Sequence, residues 1–498
     1  MAVQDYIDCN SSVSIPAAKQ EAQTMLHLIG IPGLAILLIF AYVRAHENKW
    51  PDGPKGVPLL GVLPDKSRHL HHQLADLVPR YGDFFSFNMG RSKAIILSSP
   101  ETIEDLIVKR GGKYSSRPSS SPTARIVAQG RLGQMTYGDE FRKHRRVVHG
   151  LLGMQNNKIF LPYQEFSASV TFSLLLGARF ADATSIIPHA CQDKMYEMFA
   201  AVRPGHYLAD WIPILDYLPD MLAPWRAKAQ RSLDRLMEFW GVFYCSMEAR
   251  VRQGNAPDCF VKDFLQSPEI ETFDEIERRM LISGLLAAGA ETTATTLQWF
   301  FKATLLNPGA VKEAQKELDS VIGRDRLPEW EDRSSLPEKD TYRGKDVPAN
   351  TTVIYNTWSI HHNDMYYREH ENFIPERFLS EKDDRHRPKY AFAQRHYNFG
   401  VGRRECPGQH VAETSLFIII SRLLWAFDFV GPRPSNGTGT AGQVPIIAPA
   451  EFECTVAPRD QSTRERISKF ANFRDPSLED AKRYEDDVAR IVAKHKAQ

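Results

Sequence analysis

Cys406 constrains this chain more than any other residue, through the stretch in which it sits: Phe399-Gly400-Val401-Gly402-Arg403-Arg404-Glu405-Cys406-Pro407-Gly408. A single thiol follows a glycine-broken loop and directly precedes an apolar helix. Pro407 suits the first helical position, where a missing N–H goes unfelt. The helix then carries Val411, Leu416, Ile419, Ile420, Leu423, Leu424 and Phe427, spaced largely three or four apart as a buried face requires. Its free N–H groups and dipole predict a stabilised sulfur anion with a lowered pKa. Gly402 and Gly408 let the backbone approach something flat and large. Arg404 offers that object a fixed cation for an acid group, and Phe399 a ring to shield the sulfur. A purely structural cysteine would leave the arginine and the glycines without a purpose.

The stretch fits Phe-x-x-Gly-x-Arg-x-Cys-x-Gly without a mismatch. It resembles the haem-binding loop of the cytochrome P-450 superfamily, in which a cysteine thiolate holds the iron. The resemblance implies a mainly α cytochrome P-450 fold, a large helical domain with small β-sheets. It implies heme b as cofactor, with Cys406 as the metal ligand. Phe399, Gly402, Arg404 and Gly408 are then cofactor-binding residues.

Met280 to Phe301 is a long apolar helical pattern interrupted in its middle by Ala287-Ala288-Gly289-Ala290-Glu291-Thr292-Thr293. Small residues up to Gly289 would let a flat group lie against that face. Thr292 can bond back to the carbonyl of Ala288, loosening the helix and admitting water. An acid–alcohol pair beside haem can relay protons to bound O2. Ala-Gly-x-Glu-Thr-Thr is similar to the family's distal-helix motif, which gives Glu291 and Thr292 the catalytic relay and Gly289 a cofactor contact.

Two further segments carry the resemblance. Phe141 and Arg145 lie at i and i+4 of a basic helix. The family has Trp-x-x-x-Arg there and sets the arginine on a haem propionate; Phe141 loses the indole N–H, while Arg145 keeps the charge. The basic cluster Arg142, Lys143, Arg145 and Arg146 could dock an acidic electron donor. Pro375-Glu376-Arg377-Phe378 is similar to the family's Pro-Glu-Arg-Phe segment, whose arginine locks against a Glu-x-x-Arg helix upstream. That helix is missing from the stretch between Leu336-Pro337 and Tyr342-Arg343. A second shortfall falls near Gln164 to Ser167. Without its partner carboxylate, Arg377 would cost roughly 3–5 kcal/mol as an unpaired buried charge.

The 498 residues carry 43% hydrophobic and 25% charged side chains, an ordinary globular composition with ample material for a core. A net charge of +1 gives no argument for nucleic acid. Six scattered cysteines without a C-x-x-C pair exclude a disulfide scaffold and a zinc site. Met25 to Val43 lacks formal charge and is just long enough for one transmembrane helix; Arg44, Lys49 and Lys55 follow it. The expected organisation is a luminal segment 1–24, an anchor 25–43 and a proline-rich spacer 44–64. A catalytic domain 65–460 and a charged, solvated tail 461–498 follow. Asn10-Ser11-Ser12 is a luminal glycosylation site in that arrangement. Strands are expected at Ala94–Leu97, Val353–Ile354 and Phe452–Val456, a helix at Glu101–Lys109, and a long loop over Tyr114–Gly133. Pro204–Pro224 reads as an access or membrane-dipping element.

The expectation is a monooxygenase on the endoplasmic reticulum membrane, with its catalytic domain in the cytosol. It would insert one atom of O2 into a small hydrophobic substrate, with NADPH electrons delivered by a reductase partner. Tyr137 to Leu152 and Val353 to Asn363 are similar to fungal members that oxidise secondary metabolites. The pocket is expected from the Ser115–Gly133 loop, Pro204–Trp225 and Leu285–Thr296. Two alternatives stay open: an O2-independent haem-thiolate rearrangement enzyme, and a haem-poor, membrane-tethered remnant.

Overall fold

The computed structural model describes residues 51–57, 61–63, 65, 68–89, 92–117, 122–152, 167–180, 185–202, 206–207, 209, 213–324, 326, 352–378, 396–434, 449–450, 452–471 and 479–496. The expected membrane span, the glycosylation site and the stretch where a Glu-x-x-Arg helix should fall all lie outside these residues. Among the described residues no helix is long and apolar enough to cross a membrane.

In chain order the elements that position the site are α1 (Leu70–Ala75), β1 (Phe84–Met89), β2 (Ser92–Leu97), α2 (Pro122–Ala128), α3 (Asp139–Leu152), α4 (Ser167–Leu176) and β3 (Ala178–Arg179). Next come α5 (Ile187–Val202), α6 (Pro224–Gln253), α7 (Phe260–Gln266), α8 (Glu275–Leu306), α9 (Pro308–Val321), β4 (Thr352–Tyr355) and α10 (Thr357–His361). The cysteine loop leads into α11 (Gln409–Ala426), β5 (Phe427–Val430), β6 (Thr455–Pro458), α12 (Gln461–Ala471), β7 (Glu479–Asp480) and α13 (Glu485–Lys496). Among the described residues helices dominate, and the strands form one three-stranded and two two-stranded sheets. β2 lies between β1, antiparallel, and β4, parallel. The strand expectations hold at β2 and β4, and β6 sits slightly later in the chain than its expected strand.

The main core is helical. Leu233, Leu236, Phe239 and Phe243 of α6 meet Phe172 and Leu176 of α4 and Met280, Leu281 and Leu286 of α8. α8 starts where Asp274 and Glu277 exchange side-chain and backbone bonds in a capping box. It then runs unbroken for 32 residues. The interruption expected at Ala287–Thr293 is absent: alanines and a well-packed glycine keep the turn helical.

Three other segments differ from expectation. The Tyr114–Gly133 stretch contains α2, which Pro122 opens; Ala124 and Val127 are buried in the main core. Glu101–Lys109 divides into a first turn capped by Ser99 and a π-helix over Glu104–Lys109. The C-terminal segment is charged but not merely solvated, because Tyr484 and Val488 join the main core. β7 also pairs with β3. At the other end, the carbonyl of Asp52 accepts from the Ser86 N–H at 2.8 Å, so this proline-rich stretch lies against β1.

Candidate functional site

The cysteine loop is shaped by its backbone. Gly400 and Gly402 both take positive φ, +74° and +67°. A Cβ at Gly402 would stand 2.8 Å from the Ile107 carbonyl oxygen, so only glycine fits there. The Cys406 N–H donates to the Phe399 carbonyl at 2.8 Å and closes the loop. α11 begins at Gln409 with Gly408 as its N-cap, so Pro407 lies before the helix rather than in its first turn. A Cβ at Gly408 would meet only the Cys406 sulfur, at 4.0 Å. Glycine there keeps the space beside the sulfur open.

Burial pushes the Cys406 thiol up, against the pull of the Gly408 N–H and the Arg145 guanidinium. This corrects the expectation of an anion made by the helix alone. The helix starts too late to bring several N–H groups to the sulfur, and desolvation wins. A metal ion deprotonates the thiol that coordinates it, so a metal bound here would itself create the sulfur donor.

Arg404 points elsewhere than expected. Its Nε donates to the Ser115 carbonyl at 2.6 Å, and its two terminal nitrogens donate to Leu132 at 3.3 Å and Met135 at 2.7 Å. The guanidinium carbon lies 3.6 Å from the centroid of the buried Phe141 ring. Phe141 therefore supports Arg404 and ties α3 to the cysteine loop. Burial, then the charges of Arg117 and Arg145, pulls Arg404 down to about 10. Arg145 has no hydrogen-bond or ion-pair partner among the described residues, and its charge is felt at Cys406. It remains the cation available to an acid group beside the sulfur. Arg117 is the member of this cluster that sequence reasoning missed; the signal was its place in an Arg-rich loop.

On α8 the two catalytic candidates diverge. Thr292 is exposed and donates to the Ala288 carbonyl at 2.7 Å, as expected. Ala288, Thr292 and Thr296 form an exposed stripe one helical turn apart within a core helix. Glu291 is buried on another face. Its Oε1 accepts from Gln192 Nε2 and from the Tyr196 hydroxyl of α5, both at 3.1 Å. Burial and the Glu291 carboxylate raise the Tyr196 hydroxyl. No sequence signal pointed to either partner. Gly289 meets α4 rather than an open face: a Cβ there would fall 2.6 Å from Thr171 Oγ1. Its glycine is needed for helix packing.

Arg377 is buried, yet it is caged. It donates to the carbonyls of Ile374, Arg368, Glu369 and Asn372 at 2.6–3.2 Å. The cost expected of an unpaired charge is offset by backbone oxygen. Among the described residues, Glu140, His144 and Glu277 alone have ligand atoms close enough together to hold a metal ion. There the Lys143 ammonium already bridges both carboxylates, at 2.8 and 3.1 Å.

A partly exposed thiol with open space beside it, an unpartnered guanidinium in electrostatic reach of that thiol, and an exposed small-residue stripe on α8 suit an iron porphyrin. Cys406 would supply the sulfur that holds its iron, and Arg145 would meet an acid substituent.

Comparison with known proteins agrees. The chain matches the Cytochrome P-450 family over residues 51–163, 152–339 and 337–438. It is 32% identical to the cytochrome P-450 monooxygenase polD of Polytolypa hystricis, over 88% of this chain and 95% of that protein. It is 29% identical to the monooxygenases verL of Clonostachys rogersoniana, over 87% and 92%, and fogE of Aspergillus ruber, over 88% and 92%. The family match breaks at 152–163 and 337–339, beside the two shortfalls read from the sequence. The alignment with polD spans 501 positions, more than this chain's whole length, so residues of the relative stand opposite gaps here. With cysteine loop, helical core and family match in agreement, the chain belongs to the cytochrome P-450 family of oxidoreductases.

Proposed function

We propose that the protein is a haem-dependent monooxygenase inserting one oxygen atom of O2 into a small hydrophobic substrate, in fungal secondary metabolism. The observation that carries this reading is the cysteine loop, where two positive-φ glycines and the Cys406-to-Phe399 bond present one thiol to open space. Bound haem would supply oxygen activation, and thiolate donation favours O–O cleavage. Electrons would come from NADPH through a reductase.

The chain's own part is to hold an acid group and to move protons. Arg145 would fix a propionate. Thr292 keeps its hydroxyl on the exposed stripe, held by Ala288 and able to accept a proton from outside the helix. Glu291 follows in the relay, but it faces Gln192 and Tyr196, about 100° around the helix from Thr292. Reaching Thr292 requires its side chain to turn or a water to bridge. The N-terminal apolar stretch suits an anchor in the endoplasmic reticulum membrane, with the folded part in the cytosol.

The test is the reduced, CO-bound spectrum of the full chain, followed by turnover with NADPH, a reductase and labelled O2. A red-shifted Soret band and one labelled oxygen in the product support the reading. Turnover without NADPH would favour a rearrangement enzyme instead, in which the Thr292 relay would be idle. A second reading, a haem-poor remnant, is favoured by the breaks in the family match. Purified protein that takes up no haem would establish it.

A further inference from the structure

Arg377 is buried and Arg404 half-buried, and both are caged by backbone oxygen. Arg377 has four carbonyl partners and Arg404 three. Arg131 has none. It is 5% exposed, and neither its Nε nor its Nη2 finds a hydrogen-bond partner. Desolvation pulls it down to about 10, and among the described residues no opposite charge offsets that. An uncompensated buried guanidinium is among the costlier things a fold can hold. The chain nevertheless fixes it firmly. The Arg131 N–H donates to Ala128, and its carbonyl accepts from Gln134 and Met135. Gly130, at φ +69°, seats the loop tightly against Met280, Glu277 and Ile276 of α8.

The location gives the cation a use. The carbonyl of the next residue, Leu132, and that of Met135 both hold Arg404 of the cysteine loop. Arg131 therefore sits on the loop that bridges the cysteine side and the distal helix. It stands apart from the other guanidinium groups there. Arg404 feels Arg117 and Arg145, whereas Arg131 feels no charged neighbour among the described residues. An acid group of a porphyrin already has Arg145 to meet.

We infer that Arg131 is a receptor for a carboxylate brought in by a ligand, and that the substrate is the source the fold favours. A guanidinium fork accepts a carboxylate through two parallel N–H bonds. Burial that is costly to the empty chain makes such a pair strong once formed. The substrate class is then an apolar molecule with an acid end. This inference rests on the haem-monooxygenase reading for its term "substrate", but not for the binding itself.

The experiment uses the full chain, Arg131→Met and Arg131→Lys. Laurate and benzoate are compared with their methyl esters by melting-temperature shift, with and without haem. Iron protoporphyrin is compared with its dimethyl ester by Soret titration. The wild type is expected to bind at least one acid about ten- to hundredfold tighter than its ester, as one charge-assisted pair implies. Arg131→Met should erase that preference and melt higher when empty. Arg131→Lys should keep the charge but only part of the preference. An acid preference that survives Arg131→Met, with discrimination between porphyrin and its ester lost, moves the carboxylate to haem. A wild type that distinguishes neither acid from ester, or an Arg131→Met chain that distinguishes both as well as the wild type, overturns the assignment. A chain without a CO band that still prefers the acid fails the monooxygenase reading and keeps this one.

Discussion

The cysteine loop and the middle of α8, the two sides of the proposed site, are built in opposite ways. The loop is self-contained. Its shape comes from positive φ at Gly400 and Gly402 and from one bond between Cys406 and Phe399, all within the motif. The middle of α8 has no shape of its own beyond a regular helix. What distinguishes Glu291 from Thr292 is the neighbour each meets: Gln192 and Tyr196 of α5 for one, open space and its own helix for the other. Letters therefore suffice to identify the loop, while the helix acquires its chemistry from packing. Substitutions in the loop should act through backbone and ligand, and those on α8 through partners.

The largest effect separates the two sides outright. Cys406→Ala should abolish the red-shifted band of the reduced, CO-bound protein. Thr292→Ala should leave both that band and the melting temperature near wild type, because its side chain is exposed and bonds only its own helix. The expected change in Thr292→Ala is more reducing equivalents lost as peroxide, measured against product. Equal coupling in wild type and variant would remove Thr292 from the relay.

Next is Gly402→Ala. Alanine would be forced to φ +67° with its Cβ 2.8 Å from a backbone oxygen, a loss of roughly 2–4 kcal/mol by denaturant unfolding. Gly408→Ala is the control on the same loop. It meets only the sulfur at 4.0 Å, so stability should hold while haem uptake falls. On α8 the corresponding change is Gly289→Ala, whose Cβ would strike Thr171 of α4 and cost roughly 1–3 kcal/mol. Thr171→Ala removes the two nearest atoms, at 2.6 and 2.9 Å, so the double variant should regain most of the loss. No recovery would mean that Gly289 serves something other than this helix contact.

The same division explains what could be read from the chain. The cysteine motif, the Thr292-to-Ala288 bond and the central strands depend on neighbours within a few residues, and the letters carry them. Asp274 and Glu277 form a capping box that is equally legible, a turn ahead of the apolar period that starts at Met280. α2 was hidden because Ser, Pro and Gly around it read as loop, while Ala124 and Val127 are helical only by packing into the main core. Arg404, Arg377 and Arg131 look alike in sequence. Only tertiary structure shows that carbonyls cage two of them and that, among the described residues, none reaches the third. The rise of the Cys406 thiol was likewise beyond the letters, since burial opposes a helix start that is itself displaced by two residues.

The smallest expected effect tests whether the two sides can be loosened separately. His361 lies beside the start of the cysteine loop, and its Nε2 accepts the Tyr397 N–H at 3.3 Å. Burial, then the charges of His396 and His362, pulls it from 6.5 down to about 4. Between those values the unfolded chain holds a proton that the folded one refuses, so stability falls as pH drops through the window and levels off below it. Above pH 6.5 this group contributes no slope. Protonation would also replace the acceptor that Tyr397 uses with a donor. The loss at pH 5.5 should be on the order of 1–2 kcal/mol. His361→Gln, which keeps an acceptor and cannot titrate, should flatten that part of the curve. Amide exchange near Tyr397–Cys406 should quicken on acidification in the wild type while that of Ser283–Thr296 does not. Equal quickening on both sides would mean that loop and helix open as one unit, and that the loop's shape is less its own than its glycines suggest.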